Sequence, residues 1–565
     1  MDQLKKISKY NFIYLFLSLI LAGFSTPAYV GFFGYFNLLA FALFWICIKN
    51  LNNKKIVVSS FVYFFIVSAI QLSWLSSTRY QGTLIILVYL FVLAWFAICF
   101  SLITFMLFKD KNLNISKMNI LKMNISKMNI LKMLFISSIW VLLEYSKLYF
   151  LCGFPFFPIA SSFSNNIYAL QLASVFGVYG LSFYIIFANL VFFNFYIKKS
   201  IKTFSFWIFL FVFPTLFGFI HLKIYEKKVF ASEKINCILV QTAILPEEKN
   251  LLNGYFDSFV SPLLQWSNII DLISEYKNKN IDFIVLPEAS TAFSAFSNYY
   301  PFDLVKKLFM NKFDKYQLSN LPKFKKPFAE EIDGKFYVSN SYFSKALANI
   351  YNANFIAGFD DYEEDSTYNA AFFFNPNNYN FLRYEKQKLV PIGEYIPINL
   401  LRNFIKNQYN ISSSFNRGTI SKVFHDKFNF SLSICYDEMY SDVMRNAKIK
   451  GSNFFINLTN NAWFYNSKLY YQHFILSRIK AIENGNPLVR ACNTGVTAGI
   501  DAFGRIVNYI LVENEKKAIY TEIPSFNYKT IYSYFGDKLI VCISFSFIFI
   551  YFLYNYYLQK KIKLS

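Results

Sequence analysis

Histidine and cysteine are scarce in this chain, which limits the metal sites and disulfides that it can build. The 565 residues include only three histidines and seven cysteines. Three histidines leave little material for a histidine-based metal site. The cysteines show no paired spacing, so they predict neither a disulfide framework nor a zinc site. Only Cys237, Cys435 and Cys492 lie in sequence of ordinary globular composition. The sequence therefore predicts no metal and no cofactor.

Acidic residues are too few to balance the basic ones. The chain has 34 Asp and Glu residues against 56 Lys and Arg residues, a formal net charge of +22 at pH 7. The basic residues fall mostly between hydrophobic segments, and no basic stripe or nucleic-acid-binding motif is found. The excess charge thus indicates membrane topology, and we expect no nucleic-acid partner.

Hydrophobic residues, by contrast, make up 55% of the chain and are unevenly spread. They crowd into residues 10–222 and 538–558, whereas 223–537 reads as globular sequence. A spanning helix needs about 20 predominantly apolar residues. The sequence predicts eight such spans, at 10–29, 30–48, 57–76, 83–108, 134–151, 168–197, 204–222 and 538–558. The lipid bilayer is therefore a predicted partner.

Lysines in alternate loops predict the orientation of these spans. Basic clusters occur in one set of loops, at 5–9, 49–55, 109–132, 198–202 and 560–563, while the opposite loops contain almost nothing basic beyond Arg79. Because cytoplasmic loops carry the excess of Lys and Arg, both termini are expected in the cytoplasm. We predict a seven-helix membrane domain at 1–222, a globular domain on the far side at 223–537, and a transmembrane helix with a cytoplasmic tail at 538–565.

The segment 223–537 alternates between strand-like and helix-like stretches. Strands are predicted at 235–241, 281–287, 354–358, 369–375, 430–434, 453–458 and 487–492, and helices at 256–279, 437–448 and 467–485. This alternation is typical of an α/β domain.

Two segments fall outside this pattern. Residues 296–340 are rich in Lys, Phe, Tyr and Asn, and we interpret them as a long insertion near the entrance of the site. Residues 114–123 and 124–133 are identical copies, which we interpret as a duplication that lengthens a cytoplasmic loop, with an interfacial amphipathic helix as an alternative.

Three segments of the globular part present a reactive side chain after an apolar run or beside a turn. The run 430–434 ends at Cys435, and the run 283–286 is followed by Pro287 and Glu288. The segment 384–397 offers Lys386, Lys388 and Glu394.

Each of these residues has a structural interpretation beside a chemical one. A free cysteine is commonly a small buried hydrophobe; a nearby lysine and a helix N-terminus would instead lower the pKa of Cys435 and make it a nucleophile. Glu288 is either a solvated loop carboxylate or the general base for that thiol. A lysine here is either a surface residue or the group that stabilises an oxyanion, with Glu394 holding it in place.

The local sequences around these residues resemble the Glu-Lys-Cys motifs of the nitrilase superfamily. The segments concerned are Leu286-Pro287-Glu288, Lys386 through Pro397, and Ile434-Cys435-Tyr436. More narrowly, the Leu-Val-Pro-x-Gly-Glu stretch after the lysine resembles that of the bacterial apolipoprotein N-acyltransferases. Further matches are Asn460 to Phe464, Gln472 to Phe474, Arg490 to Thr497, Glu144 and Gly153-Phe154-Pro155. The resemblance covers nearly the whole chain.

The resemblance implies a polytopic α-helical membrane domain joined to an α/β nitrilase-like α-β-β-α sandwich outside the cytoplasm. In that family pattern the catalytic lysine lies eight residues before the second glutamate, which selects Lys386 over Lys388. Glu288, Lys386 and Cys435 are then the catalytic residues. Glu394, Tyr436 and Trp463 are supporting residues, with Trp463 read either as a gate or as a core residue.

The implied activity is a two-step acyl transfer in the bacterial inner membrane, with the catalytic domain on the periplasmic side. Cys435 would take an acyl chain from a membrane phospholipid. The resulting thioacyl enzyme would pass that chain to the α-amino group of the diacylglyceryl-cysteine that begins an apolipoprotein. A phospholipid donor and a diacylated lipoprotein acceptor are therefore the expected partners, and aromatic residues around Phe154, Phe156 and Phe157 are candidates for lining the acyl path.

The chain departs from the family pattern at several positions. Asn461 stands where Asp is usual, Tyr465 where Gly is usual, and Asp437 replaces a glutamate, although Glu438 is adjacent. Asn250 lies near the position of a frequent tryptophan, and the interval between Glu288 and Lys386 is longer than usual. These changes bear on substrate contacts and loops rather than on the three catalytic residues.

Three other functions remain open at this stage. A membrane-tethered nitrilase-type amidase would share the catalytic residues but would leave the eight spans without a purpose. A transporter or receptor with an external ligand-binding domain is disfavoured by the few charges within the spans and by the lack of an evident inverted repeat. An inactive relative, weakened at Asn461 and Asp437, is the third.

Overall fold

A computed structural model describes residues 2–26, 29, 31–109, 130–150, 152–249, 256–363, 366–396 and 414–564. The chain divides into two compact units. The first, here called the membrane unit, comprises Met1–Tyr225 and Thr530–Ser565, and the second, the catalytic unit, comprises Glu226–Lys529. The domain limits predicted from the sequence, at 222 and 537, stay predictions.

The membrane unit is built from helices. They are Asp2–Gly23, Gly31–Tyr35, Asn37–Ile48, Asn53–Gln71, Ile85–Phe108, Ile130–Ser146, Ile167–Leu170, Ala173–Lys198, Ile201–Phe230, Ile531–Phe535 and Lys538–Leu564. Among the described residues, five are long and apolar enough to cross a membrane, beginning at Asn53, Ile85, Ala173, Ile201 and Lys538. The protein is therefore a multi-pass membrane protein.

The other three predicted spans overlap the 22-residue helix Asp2–Gly23, the pieces Gly31–Tyr35 and Asn37–Ile48, and the 17-residue helix Ile130–Ser146. The predicted span 30–48 is divided at Phe36 into Gly31–Tyr35 and Asn37–Ile48, and the 12 residues of the second piece give a helix of about 18 Å. Gly34, within the first piece, packs tightly against a neighbouring backbone, because a Cβ at this position would lie 2.0 Å from the carbonyl oxygen of Ser162. Glycine therefore allows these two backbones to approach closely.

Two charged residues are buried in the membrane unit beside the loop that follows the helix Ile130–Ser146. Glu144 Oε1 accepts hydrogen bonds from Trp140 Nε1 at 3.1 Å and from the backbone N–H of Ile159 at 3.0 Å. Lys147 Nζ donates to the carbonyl oxygens of Phe156 at 3.1 Å and Phe157 at 3.2 Å. These bonds fix the loop, as buried charges in a membrane segment require partners.

The aromatic residues of this loop pack against rings of neighbouring helices. Phe154 and Phe157 both contact Phe96, with ring centroids 5.6 Å apart in each case, and Phe156 contacts Trp74 at 4.7 Å. They are therefore part of the packing of the unit, and their predicted role in an acyl path stays a prediction.

The catalytic unit contains two main β-sheets. The first has the order β14-β1-β2-β6-β7-β8 and consists of Lys517–Pro524, Lys234–Gln241, Phe283–Val285, Asn354–Glu363, Ser366–Phe374 and Phe381–Glu385. The second has the order β13-β12-β11-β10-β9 and consists of Ile506–Ile510, Thr497–Ile500, Leu488–Cys492, Phe454–Thr459 and Phe430–Ile434. Parallel pairs occupy the middle of the first sheet and the β9-β10-β11 side of the second, and antiparallel strands complete both.

Alternation along the strands explains how these sheets pack. In β1, Cys237 and Leu239 belong to a buried cluster shared with Leu432 of the second sheet, whereas Ile238 and Val240 belong to another cluster with helix residues such as Trp266. Successive strand residues point to opposite faces, so one face of the first sheet meets the second sheet and the other meets helices. Helices Pro262–Ser274, Asn340–Tyr351, Ser441–Ile449 and Leu469–Asn484 accompany the sheets. The predicted α/β nitrilase-like architecture is confirmed.

Several strand limits follow from simple chemistry. The predicted strand 430–434 has the observed limits Phe430–Ile434. The predicted strand 281–287 is shorter, Phe283–Val285, and at its C-terminal end Pro287 has no N–H with which to extend the ladder. The predicted helix 256–279 is reduced to Pro262–Ser274, which begins at the N-cap Ser261 and has a proline in its first turn.

The lysine-rich segment 296–340 is a folded part of the catalytic unit. It forms a small sheet of the order β3-β5-β4, from Tyr300–Pro301, Lys335–Val338 and Ala329–Ile332, with helices Phe302–Met310 and Lys315–Leu318. Its apolar side chains, including Tyr300, Phe309 and Phe328, join the core on the helix-covered face of the first sheet. The location of this segment near the site entrance stays a prediction. The repeated segment 114–133 lies outside the described residues up to residue 129.

Candidate active site

The predicted catalytic residues follow the ends of three strands of the two sheets. Glu288 follows β2 and Lys386 follows β8 in the first sheet, while Cys435 follows β9 in the second. The three side chains are buried, with residue exposures of 6%, 1% and 8%. Because the faces of these sheets pack together, strand ends from both sheets supply one buried site.

Glu288 is positioned by a close approach between its loop and β6. A Cβ at Gly358 would lie 2.8 Å from the Cα of Glu288, so only glycine fits at this position. The backbone N–H of Gly358 donates to Pro287 at 3.2 Å, and Ser290 donates to Gly358 at 2.8 Å. The chain turns sharply just after the carboxylate, where Ala289 has a φ of 46°.

Lys386 joins two carboxylates. Its Nζ donates to Glu288 Oε1 and to Glu394 Oε1, both at 2.8 Å. Burial disfavours the charged amine, but the two carboxylates outweigh burial and raise the pKa of Lys386 well above its ordinary value. Lys386 is therefore an ammonium group within a negatively charged pocket. Lys388 instead extends to the partly exposed Asp442, 2.9 Å away.

Asn369 is a site residue that the sequence analysis did not identify. Its Nδ2 donates to Glu288 Oε1 at 2.7 Å and to Glu394 Oε1 at 2.8 Å, so it bridges the same two oxygens as Lys386. Its backbone carbonyl also accepts from the N–H of Lys386 at 2.9 Å. The signal in the sequence is a lone amide at the start of the apolar run 370–374, on the strand that pairs with β8.

Glu394 is held by its own loop. Its second oxygen, Oε2, accepts the backbone N–H of Val390 at 2.7 Å, which fixes the carboxylate from one side while Lys386 and Asn369 hold the other oxygen. The arrangement orients the lysine from two directions, as a preorganised site requires.

Cys435 occupies a strained backbone position. It is the first residue after β9 and begins the 3₁₀-helix Cys435–Met439, with a φ of 47°. A left-handed conformation costs a residue other than glycine about 1–3 kcal/mol and is concentrated at functional sites. Its Sγ lies 4.0 Å from the carbonyl oxygen of Asn460. A sharp turn between strand and helix thus directs the thiol into the site.

The electrostatic environment of the thiol differs from the sequence-based expectation. Burial and the negative charge of Glu288 raise the pKa of Cys435, and the opposing effect of Lys386 is smaller. The lysine does not lower the pKa of the thiol below its ordinary value, because Lys386 is already paired with two carboxylates. The resting group is a thiol that needs a base at the moment of attack.

Asp437 connects the cysteine turn to the lysine loop. Its Oδ1 accepts the backbone N–H groups of Lys388 at 2.7 Å and Gln387 at 3.1 Å, and its Oδ2 accepts the hydroxyl of Tyr384 at 2.8 Å and the N–H of Ile434 at 3.2 Å. Burial raises the pKa of Asp437 to about 6. The shorter carboxylate at this position therefore has a full set of donors.

Glu438 belongs to a separate buried cluster beneath the cysteine turn. Its Oε1 forms an ion pair with Arg490, accepts from Ser477 Oγ at 2.8 Å and lies 3.0 Å from His473 Nε2. Burial lowers the pKa of His473 to about 4, so its ring is neutral at pH 7. His473 Nδ1 lies 3.1 Å from Asn461 Oδ1, which accounts for Asn461 as a structural contact of this cluster.

The two remaining predicted residues lie at different depths. Tyr436 is buried, and its ring meets that of Tyr440 edge-on at 5.2 Å. Trp463 is 43% exposed on the short helix Ala462–Phe464, so it is not a core residue. Within the described parts of the chain, no three His, Cys, Asp or Glu residues form a group that could hold a metal ion.

Family models match both units. The description "Carbon-nitrogen hydrolase" matches residues 262–531, and "Apolipoprotein N-acyltransferase N-terminal domain" matches residues 18–191. Several relatives carry the name apolipoprotein N-acyltransferase, and two of them illustrate the similarity. The one from Chlamydia pneumoniae is 27% identical over 553 residues, covering 94% of each chain, and the one from Rickettsia bellii is 29% identical over 431 residues, covering 75% of each.

Among solved structures, a Saccharomyces cerevisiae member of the nitrilase superfamily is 19% identical, with a TM-score of 0.34. It aligns with 54% of this chain and 93% of its own. The family models and the full-length relatives together cover the membrane unit and the catalytic unit, and they identify an acyltransferase with several membrane helices. The chain belongs to the apolipoprotein N-acyltransferase family within the nitrilase superfamily.

Proposed function

We propose that this enzyme acylates the N-terminus of lipoproteins with a chain taken from a membrane phospholipid, through a thioester on Cys435. Glu288 is the general base, Lys386 stabilises the oxyanion, and Glu394 holds the lysine. The observation that carries the proposal is the buried ammonium of Lys386, which is 2.8 Å from both carboxylates and interacts electrostatically with Cys435.

In the first half-reaction, Cys435 Sγ attacks the carbonyl carbon of a phospholipid ester. The pKa of the thiol is raised, so its proton has to leave as the S–C bond forms, and Glu288 accepts it. The tetrahedral intermediate collapses by breaking the ester C–O bond. Glu288 returns the proton to the departing alkoxide, which leaves as a lysophospholipid, and the thioacyl enzyme remains.

Lys386 is suited to bind the negative oxygen of that intermediate. An ammonium group has three N–H donors. Two of them are used by Glu288 and Glu394, which leaves the third to donate to the oxyanion. The charge is present before the reaction, so no reorganisation is needed when the oxyanion forms.

In the second half-reaction, the free α-amino group of a diacylglyceryl-cysteine attacks the thioester. Glu288 takes a proton from the amine as the N–C bond forms. The C–S bond then breaks, and the proton returns to the sulfur to restore the thiol. A thioester is reactive toward amines, so the same buried site serves both half-reactions.

The lysine asymmetry of the loops supports a location in the bacterial inner membrane with the catalytic unit on the periplasmic side. Both proposed substrates are anchored in lipid. An enzyme with helices in the same bilayer meets them at a high local concentration, whereas a water-soluble amide would gain nothing from such an anchor.

The test is a search for the acyl thioester. The purified full-length enzyme is incubated in mixed micelles with a diacyl phospholipid that carries isotope-labelled acyl chains, and the peptide containing Cys435 is examined by mass spectrometry. We expect the labelled acyl mass on this peptide in the wild type and in Cys237→Ala, which removes a buried cysteine from between the sheets. Cys435→Ala should carry none.

Adding a synthetic diacylated peptide with a free N-terminal cysteine amine should discharge the label from the enzyme to the peptide. Absence of the thioester from the wild type, together with release of ammonia from small amides, would overturn the proposal in favour of a membrane-tethered amidase.

A further inference from the structure

Two further charged residues, Lys249 and Asp360, interact electrostatically with Glu288, in addition to Lys386. Lys249 is the last residue of the short helix Pro246–Lys249, and its Nζ donates to the carbonyl oxygen of Ala289. Ala289 directly follows Glu288 and has a left-handed φ of 46°. The amine of Lys249 therefore binds the turn that presents the proposed base.

The segment that leads to Lys249 is itself fixed. The side chain of Asn493 accepts from Thr242 Oγ1 at 2.7 Å and from the N–H of Ile244 at 2.8 Å, and it donates to the carbonyl of Ile244 at 2.6 Å. Glu248 Oε2 then caps the N–H of Leu245 at 2.7 Å. The backbone that precedes Lys249 is thus fixed by hydrogen bonds from side chains.

Asp360 approaches Glu288 from the strand β6. Residues two apart on a strand face the same side, so Asp360 shares a face with Gly358, whose backbone meets Glu288. The register of β6 with β7 places Asp360 opposite Asn369, whose side chain is bonded to Glu288. Directly opposed residues have side chains on one face, so the carboxylate of Asp360 faces the site.

The charges of Lys249 and Asp360 depend on each other. Burial raises the pKa of Asp360, the carboxylates of Glu394 and Glu288 raise it further, and Lys249 opposes them. Burial lowers the pKa of Lys249, and Asp360 and Glu288 oppose that change. Three carboxylates therefore share this pocket, and Lys386 alone leaves a surplus of negative charge.

We propose that Lys249 and Asp360 are positioning residues for acyl transfer: the lysine holds the turn after Glu288, and its positive charge offsets the negative charge of Asp360 beside the proposed base. The proposal rests on the assignment of Glu288 as the base. Lys249 acts through Glu288 and through the carbonyl of Ala289 rather than on the substrate. Among the described residues, Lys386 and Asn369 donate hydrogen bonds to Glu288. The titratable groups that interact with it electrostatically include Lys249, Asp360, Cys435, His473 and Cys492.

The experiment measures the rate of thioester formation on Cys435 as a function of pH, with the full-length enzyme and the labelled phospholipid micelles. Loss of a positive charge makes a neighbouring carboxylate harder to ionise. Lys249→Met should therefore move the acid limb of the profile upward by about one pH unit. Asp360→Asn removes a negative charge and should move it downward. The double variant should return toward the wild-type position, and Lys249→Arg should stay close to it.

Lys345→Met is the matched control, because Lys345 is also a buried lysine but donates to the backbone carbonyls of Asn375, Pro376 and Asn378. It should lower thermal stability and leave the acid limb in place. An acid limb that stays at the wild-type position in Asp360→Asn, or a double variant whose acid limb lies as far from the wild-type position as that of Lys249→Met, would overturn the inference. Asp360→Asn is informative even if Lys249→Met does not fold. A wild-type enzyme that forms no thioester would instead refute the proposed function.

Discussion

The two ends of the β7–β8 hairpin each bury a lysine, and the two lysines have different partners. At the turn, Lys345 is 3% exposed and donates to the carbonyl oxygens of Asn375 at 2.7 Å and Asn378 at 2.8 Å. At the open end, Lys386 is 1% exposed and donates to the carboxylates of Glu288 and Glu394. Burial is nearly the same at the two ends, but carbonyl dipoles surround one amine and full negative charges surround the other.

Because their partners differ, the pKa of Lys345 is lowered whereas the pKa of Lys386 is raised. Burial lowers the pKa of Lys345 to about 8. Burial also disfavours the charge on Lys386, yet Glu288 and Glu394 raise the pKa of this amine well above its ordinary value. Burial of a lysine therefore does not by itself indicate catalysis. A buried lysine between two carboxylates, next to a strained cysteine, is the stronger indication.

The membrane unit also contains a buried lysine that is bonded to backbone carbonyl oxygens, as Lys345 is. Lys147 is 5% exposed and donates to the backbone carbonyls of Phe156 and Phe157. A long cationic side chain that binds several carbonyls fixes a loop without a second charge. Lys345 and Lys147 are thus structural, and the assignment can be tested by comparing them with Lys386.

The largest effect is expected from Lys386→Met. This change removes the proposed oxyanion donor and the positive charge between Glu288 and Glu394, which keep only the neutral amide of Asn369 as a bridge among the described residues. We expect the rate of Cys435 acylation to fall by at least about 1,000-fold. Single-turnover mass spectrometry of the labelled phospholipid reaction provides the measurement. In Lys345→Met the rate per folded molecule should stay near that of the wild type. An equal loss in both variants would remove the distinction between the two ends of the hairpin.

The sequence predicted which residues follow the strands better than it predicted the side-chain contacts between strands. The run 430–434 and the polar residues after it are local features, so the limits of β9 and the position of Cys435 followed directly. The bridge from Asn369 to Glu288 depends on pairing between strands far apart in the chain, and an amide inside an apolar run gives little sign of it. The raised pKa of Cys435 also depends on which partners Lys386 has already taken.

The shape of the segment 296–340 was not predictable for a similar reason. Its composition, rich in Lys, Phe, Tyr and Asn, suggested a long insertion that interrupts the alternation of strands and helices. The structure shows three short strands and two short helices, held by side chains such as Tyr300 and Phe328 in a core built mostly from other parts of the chain. Distant packing thus determines local structure here.

A smaller effect is expected from Asp437→Asn, which tests how the loop after Lys386 is held at the open end of the hairpin. The carboxylate accepts four donors, two of them from the loop just after Lys386. An amide would direct its NH₂ group at some of these donors and loosen the loop. We expect about a 100-fold slower acylation, because displacement of a catalytic group by about 1 Å has effects of this size.

The matched control for Asp437→Asn is Asp442→Asn. Asp442 pairs with Lys388 of the same loop at 2.9 Å, but its side chain is 59% exposed. An exposed ion pair contributes about 0–1 kcal/mol, so the acylation rate should change by less than about fivefold. Equal losses in the two variants would indicate that the loop depends on its overall charge and not on the buried carboxylate.

The smallest effect concerns Lys345, at the turn of the hairpin, and the pH dependence of its contribution to folding stability. The pKa of Lys345 is about 8 in the folded protein and ordinarily about 10.5. Between these values the unfolded chain holds the proton and the folded protein does not, so the folded state becomes more stable as pH rises through this window. The melting temperature of the wild type, measured in detergent micelles, should therefore rise by a few degrees relative to Lys345→Met between about pH 8 and pH 10. Other titrating groups are common to both proteins and cancel in the difference. If the difference instead falls with rising pH, the carbonyls of the turn hold an ammonium ion strongly, and the contrast between the two ends of the hairpin would lie in geometry alone.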